Sequence, residues 1–170
     1  MSKRARPIVL LFAVIAFALT ACSNDNEPST TGGGTSSPTS SPSGSPSGGT
    51  AVGVTLQEYA VLPAITSAPA GAVTFNAQNN GPKMEHELVV VKTSLAPDKL
   101  PTSANGSVDE EGTGVESVGE IGEFPVGQTR STTFNLSPGS YVLFCNVVKT
   151  EGSETLVHYK LGMRTAFTVT

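Results

Sequence analysis

Residues 71–79 read GAVTFNAQN, and within them Val73, Phe75 and Ala77 alternate with Thr74, Asn76 and Gln78. Successive side chains of an extended chain point to opposite faces, so this pattern suits a strand with one buried and one wet face, not an amphipathic helix. The alternation recurs: Val52, Val54 and Leu56 stand out from Gly53, Thr55 and Gln57, and Thr132, Phe134 and Leu136 share one side of 130–136. "HELVVVKT" (His86 to Thr93) is denser in β-branched residues, as expected of a strand covered on both faces. Ser137, Pro138 and Gly139 form a turn signal, after which Tyr141 to Val147 returns. The last strand, Arg164 to Thr170, buries Thr165, Phe167 and Val169, or takes the opposite register. Short strands with Gly/Pro turns and no long 3.6-residue period predict an all-β fold, a Greek-key antiparallel β-sandwich.

Between Ser94 and Pro125 the pattern lapses into a Gly- and acid-rich stretch carrying Asp109, Glu110, Glu111, Glu116, Glu120 and Glu123. A short helical turn near Ala96 to Leu100 is limited by Pro97 and Pro101, and most of the stretch is expected to be a solvated excursion that aids solubility.

The folded part is preceded by two segments of different character. Lys3, Arg4 and Arg6 give a basic start, Ile8 to Ala18 is an apolar run, and Leu19 to Cys22 ("LTAC") closes it. The run is short for a membrane span and is followed by polar sequence, so residues 1–21 read as an export signal. The "LTAC" box resembles a bacterial lipoprotein signal, which implies that Cys22 is lipidated. Residues 22–50 are Ser, Thr, Gly and Pro with few charges, a composition that offers no core to offset the entropy of ordering and reads as a tether. Residues 51–170 are then one domain, expected as a monomer on the extracytoplasmic side of the cell envelope, held to the membrane by its anchor.

Of the 10 basic residues, Lys3, Arg4 and Arg6 leave with the signal, so that seven face 14 acidic ones, a formal charge of −7. Nucleic acid is an unsuitable partner for such a chain. Export implies an oxidising compartment, where an unpaired thiol is a hazard unless it is buried or bound. With Cys22 lipidated, Cys145 is that thiol.

Cys145 does not stand alone. It ends one strand, His86 opens another, and His158 and Met163 precede the last, so a sandwich that brings these strand ends together would gather a thiolate, two imidazoles and a thioether. That is the donor set of a blue-copper centre, in which imidazoles and thiolate bind copper in both oxidation states and a weak axial thioether favours Cu(I). Taken singly, each residue has a plainer reading: His86 as a hydrogen-bonded structural histidine, Cys145 as a small buried hydrophobe, Met163 as core filling. Their joint occurrence, with only two histidines in the chain, points to a metal. Met84 is a rival axial donor, because it shares a strand face with His86 if 83–88 is extended.

The segments "NNGPKMEHELVV" and "PGSYVLFCN", with "HYKLGMRTAFTV", resemble the cupredoxins, whose small members include plastocyanin and azurin. The resemblance covers most of Val52 to Thr170 and includes the four-residue separation of His158 from Met163. It implies that His86, Cys145, His158 and Met163 ligate one copper ion, and that His158 is the exit for the electron. It further implies a single-electron carrier serving a membrane-associated redox partner such as a cytochrome or terminal oxidase.

Two departures stand out. Asn146 to Val157 intervene between the cysteine and the second histidine, where the family has only a few residues, so "KTEGSET" (Lys149 to Thr155) reads as an insertion that loosens the site or opens it to solvent. Lengthening a flexible loop costs only about 0.6 kcal/mol per doubling, so the insertion need not abolish the site. Glu87 follows the first histidine where plastocyanin and azurin carry an asparagine that ties the ligand loops together; Asn80 and Asn146 are candidates for that tie.

Other chemistries find no support. One mononuclear site uses both histidines, leaving none for the clusters of copper oxidases, and no nucleophile elbow, zinc-protease helix or phosphate loop is present, so an enzyme is not expected. Glu85 and Glu87 point away from the face bearing His86 on a strand, which removes a carboxylate-pair mechanism. Zinc would fit Cys145, His86 and His158, but methionine is a poor fourth zinc ligand. Two alternatives to electron transfer remain at this level: copper storage or delivery by the same residues, and a metal-free binding module in which Cys145 is merely buried.

Overall fold

The structure, a computed structural model, describes residues 49–170. The export segment, Cys22 and the linker up to residue 48 lie outside the described residues. Among the described residues no helix is long and apolar enough to cross a membrane.

The strands run in the order β1 (Thr50–Gln57), β2 (Ala60–Pro63), β3 (Ser67–Ala68), β4 (Gly71–Asn79), β5 (His86–Lys92), β6 (Glu116–Phe124), β7 (Thr129–Leu136) and β8 (Gly139–Phe144). There follow β9 (Val148–Glu151), β10 (Glu154–Val157), the single helical turn α1 (His158–Leu161) and β11 (Arg164–Val169). They form a four-stranded sheet ordered β2-β1-β4-β7, a five-stranded sheet ordered β3-β11-β8-β5-β6, and the separate hairpin β9-β10. The expected all-β sandwich is therefore observed. Its pairs are antiparallel except β1 with β4 and β3 with β11, which run parallel.

The alternation seen in sequence decides what is buried. Val52, Val54 and Leu56 from β1, Val73, Phe75 and Ala77 from β4, and Leu88 and Val90 from β5 form the core between the sheets with Tyr141, Leu143 and Phe167. Fully burying a side chain of this size contributes about 1.5–3 kcal/mol. In the last strand Phe167 and Val169 face inward, which resolves its register. At the corner between β7 and β8 the Tyr141 hydroxyl donates to the Ser137 carbonyl at 2.6 Å, pinning the Ser-Pro-Gly turn where the chain passes from one sheet to the other.

Strand β5 is covered on both faces, as its composition predicted. Its alternate residues Val89 and Val91 join Val142, Phe144 and Tyr159 in a second cluster on the outer face of the five-stranded sheet. The cover comes from the acid-rich stretch, and here the expectation of a solvated excursion is corrected. Leu100 and Val108 are buried in that second cluster, with Leu95 and Val115 packed against it. Tyr159 fastens the stretch by donating to the Pro97 carbonyl at 2.7 Å and accepting from the Leu100 amide at 3.1 Å. The rest is no loop at all, because Glu116–Phe124 is edge strand β6, paired antiparallel with β5. A strand with one partner can carry outward glutamates, which discourage pairing with another chain and mask the apolar phase in the sequence. Near Ala96 to Leu100 there is a turn, closed by the Lys99 amide on the Ala96 carbonyl, and no helix.

Candidate metal centre

Strand phase brings three of the four predicted donors to the inner face at one end of the sandwich. His86 is in register with Leu88 and Val90, Cys145 continues the inward phase of Tyr141 and Leu143, and Met163 precedes Phe167 and Val169 in theirs. The Cys145 amide donates to the Met163 carbonyl at 3.0 Å, extending the β8–β11 ladder by one rung. His158 arrives differently, at the start of α1, where its amide donates to the Val147 carbonyl at 3.0 Å and its carbonyl accepts from the Met163 amide at 3.0 Å. Gly162 closes that turn at φ +125°, and a Cβ there would lie 3.1 Å from the Tyr59 carbonyl oxygen, so the tight path from His158 to Met163 requires glycine.

The donor atoms converge. His86 Nδ1 and His158 Nδ1 lie 3.2 Å apart, with Cys145 Sγ 3.4 Å from the second and 3.9 Å from the first. An ion bonded at about 2.0–2.1 Å to two imidazole nitrogens and about 2.3 Å to a thiolate sits inside a donor triangle of sides roughly 3.5–3.8 Å. The three atoms therefore fit one soft cation with small ring adjustments, and they are the one cluster of such residues suited to a metal among those described. All three residues, and Met163 with them, are fully buried. Met84 stands apart: it is half-buried, and its sulfur accepts from the Tyr59 hydroxyl at 3.6 Å.

The pocket suppresses charge. Burial pushes the Cys145 thiol up to about 12. His158 is lowered to about 4, first by burial and then by the neighbouring His86 ring; His86 is lowered by burial, opposed by Glu58. Without a cation the three donors are thus neutral at pH 7, and a bound positive charge is what would draw the thiolate from Cys145.

The surroundings correct two expectations. "KTEGSET" is neither loose nor an opening. It folds as hairpin β9-β10, with Gly152 at φ +63° opening a two-residue turn between Glu151 and Glu154, and the three donors stay buried. Lys149 anchors the hairpin to Glu123 at 2.7 Å and to Glu85 at 3.5 Å. His158, which the resemblance implied as the exit for the electron, is fully buried, with the Tyr59 ring edge-on at 5.4 Å between centroids.

Of the two candidates for the tie between ligand segments, Asn146 takes part and Asn80 does not. Glu87 itself accepts from the Asn146 amide at 2.9 Å, and burial and the nearby Glu120 raise its carboxyl to about 7. The Asn146 side chain binds the Val108 backbone, with its oxygen accepting at 2.6 Å and its nitrogen donating at 3.1 Å, and reaches Glu110 at 2.9 Å. Asn80 is exposed; its buried neighbour Asn79 is the tie, donating to the Met84 and Phe124 carbonyls at 2.9 Å each and accepting from the Gly81 amide at 2.8 Å. Asn79 was detectable as a polar residue in the inward phase of Val73, Phe75 and Ala77. Glu58, whose carboxylate oxygen lies 4.0 Å from His86 Nε2, had no such signal.

No protein-family model matches the chain, and no curated protein matches it. Among solved structures it is similar to dithionite-reduced auracyanin from the photosynthetic bacterium Roseiflexus castenholzii, at 20% identity over 72% of this chain and 99% of that one, with a TM-score of 0.49. It is similar also to auracyanin A, a "blue" copper protein from the green thermophilic photosynthetic bacterium Chloroflexus aurantiacus, at 21% identity over 72% and 100% of the two chains, TM-score 0.47. A third is rusticyanin from Thiobacillus ferrooxidans, at 18% identity over 71% and 76%, TM-score 0.46. Likenesses at this level decide nothing about the site, whose chemistry rests on the chain's own side chains. Those side chains define a β-sandwich with a buried His₂Cys centre at one end, the arrangement that the resemblance to the cupredoxins implied.

Proposed function

We propose that the chain is a type 1 copper protein and a single-electron carrier, in which His86 Nδ1, His158 Nδ1 and Cys145 Sγ would hold one copper ion and Met163 would add a weak thioether donor. The observation that carries this reading is the convergence of the three donor atoms, 3.2–3.9 Å apart, in a pocket closed to water. Copper, when bound, supplies a Cu(II)/Cu(I) couple. The residues do the rest. Backbone hydrogen bonds from Cys145 to Met163 and from Met163 to His158 hold the donors in one arrangement, so little needs to move when an electron arrives or leaves. Burial excludes water from the Cys145 sulfur and from both imidazoles. A carrier needs no more than this, and nothing in the pocket is placed to bind and transform an organic substrate.

The closed pocket favours retention over delivery of the ion, and the converging donors favour a metal site over a metal-free module. The compartment is part of the proposal and rests on sequence alone: an extracytoplasmic domain tethered through Cys22, exchanging electrons with a membrane-associated partner such as a cytochrome or terminal oxidase. Titrating Cu(II) into the metal-free full chain tests the centre. An intense visible thiolate-to-copper band, lost in Cys145→Ser, is expected; a chain that binds no copper, or whose spectrum ignores that substitution, would overturn the reading. Release of Cu(I) to a chelator separates carrier from donor, with retention through redox cycling expected of the carrier.

A further inference from the structure

Both imidazoles turn Nδ1 toward the thiol, and a neutral imidazole that offers a lone pair at Nδ1 must carry its proton at Nε2. At His86 that proton points into a dry corner, since Nε2 is buried and has no hydrogen-bond partner. The same is true of one carboxylate oxygen of Glu58, its Oε2. The carboxylate lies beside the ring through its other oxygen, with Glu58 Oε1 4.0 Å from His86 Nε2 and the Glu58 side chain 11% exposed.

We infer that Glu58 is a positioning residue for the metal centre: its carboxylate accepts the Nε2 proton of His86 and so holds the imidazole in the tautomer that leaves Nδ1 free for a metal. Buried donors and acceptors of this strength are rarely left unpaired, and closing the 4.0 Å gap to Oε1 or turning the carboxylate to present Oε2 would pair the ring with it. Glu58 is well placed for the task. It lies in the turn between β1 and β2, and its Oε1 already accepts from the Lys83 amide at 2.9 Å and the Met84 amide at 2.5 Å. One carboxylate therefore anchors the backbone just ahead of His86 through Oε1, the oxygen that also lies 4.0 Å from the ring, and its Oε2 remains without a partner. Carboxylates that orient a ligating histidine in this way commonly matter to affinity about as much as 10–100-fold.

This inference deepens the copper reading in its purpose, but its test does not depend on copper. In the metal-free full chain, labelled with ¹⁵N, long-range proton–nitrogen correlations report which ring nitrogen of His86 is protonated; protonation at Nε2 is expected. In Glu58→Gln the amide oxygen keeps accepting from Lys83 and Met84, while an amide nitrogen, which can only donate, replaces the Oε2 that would accept from His86. His86 is then expected to switch to the tautomer protonated at Nδ1, and Cu(II) affinity to fall about 10–100-fold. A residue that merely supported the fold would leave the tautomer unchanged in that variant, and such a result overturns the inference. Nδ1 protonation of His86 in the wild-type chain overturns it too, and that measurement needs no variant to fold. Should the chain bind no copper while the tautomer switches, the copper reading fails and the role of Glu58 stands.

Discussion

The amide of Asn146 donates to the carboxylate of Glu87 at 2.9 Å, so the residue after Cys145 is tied to the residue after His86. A carboxylate thus does what the resemblance assigns to an asparagine, and it does so from the outer face of the sheet while His86 points inward. Removing the acceptor leaves a half-buried amide unpaired, at a cost of about 1 kcal/mol. Glu87→Ala is expected to lower unfolding stability by that amount in denaturant titrations, and Glu87→Gln, which keeps an accepting oxygen, by less.

Asn79 should be the costlier of the ties. Its side chain satisfies the Met84 and Phe124 carbonyls and the Gly81 amide, all beside the loop that leads into His86. Asn79→Ala is expected to destabilise the fold by about 2–3 kcal/mol, measured by thermal or denaturant unfolding, because several backbone groups lose their partner at once.

Hairpin β9-β10 lies in the chain between Cys145 and His158, and it should slow exchange of the ion they hold. Replacing Lys149–Thr155 with a two-glycine link is expected to speed transfer of Cu(I) to a chelator while leaving the visible band in place. The single change Lys149→Ala should matter far less: its ion pairs with Glu123 and Glu85 are substantially exposed and are worth under about 1 kcal/mol, diminishing as salt is raised.

Metal loading should release a proton. The buried Cys145 thiol is pushed up to about 12 and both histidines are shifted down, so at neutral pH the thiol alone carries a proton that a metal must displace. Calorimetric titrations in buffers of different ionisation enthalpy are expected to report about one proton released per ion near pH 7. The sign follows from the thiol: apparent affinity should rise with pH, because fewer protons compete for the sulfur.

The acid-rich stretch is held by its contact with Tyr159. Tyr159→Phe removes the hydroxyl that bonds both the Pro97 carbonyl and the Leu100 amide, and should cost about 1–3 kcal/mol. Faster amide exchange across 95–115 is the accompanying observable.

Period-two patterning in the sequence by itself determined the sandwich and which side chains line its core, because alternation on an extended chain is a local property. Phase also directed His86, Cys145 and Met163 inward, and the scarcity of histidine singled out His86 and His158. Only the tertiary structure decided what surrounds them. Glutamates on an edge strand hid β6, since a strand with one partner tolerates charge that a central strand does not. The insertion after Cys145 became a hairpin because two four-residue segments pair across Gly152 and Ser153, a choice that loop length alone leaves open. Glu58 faces His86 from 28 residues away in a different sheet, and such a meeting is set by how the sheets stack, which no local pattern encodes.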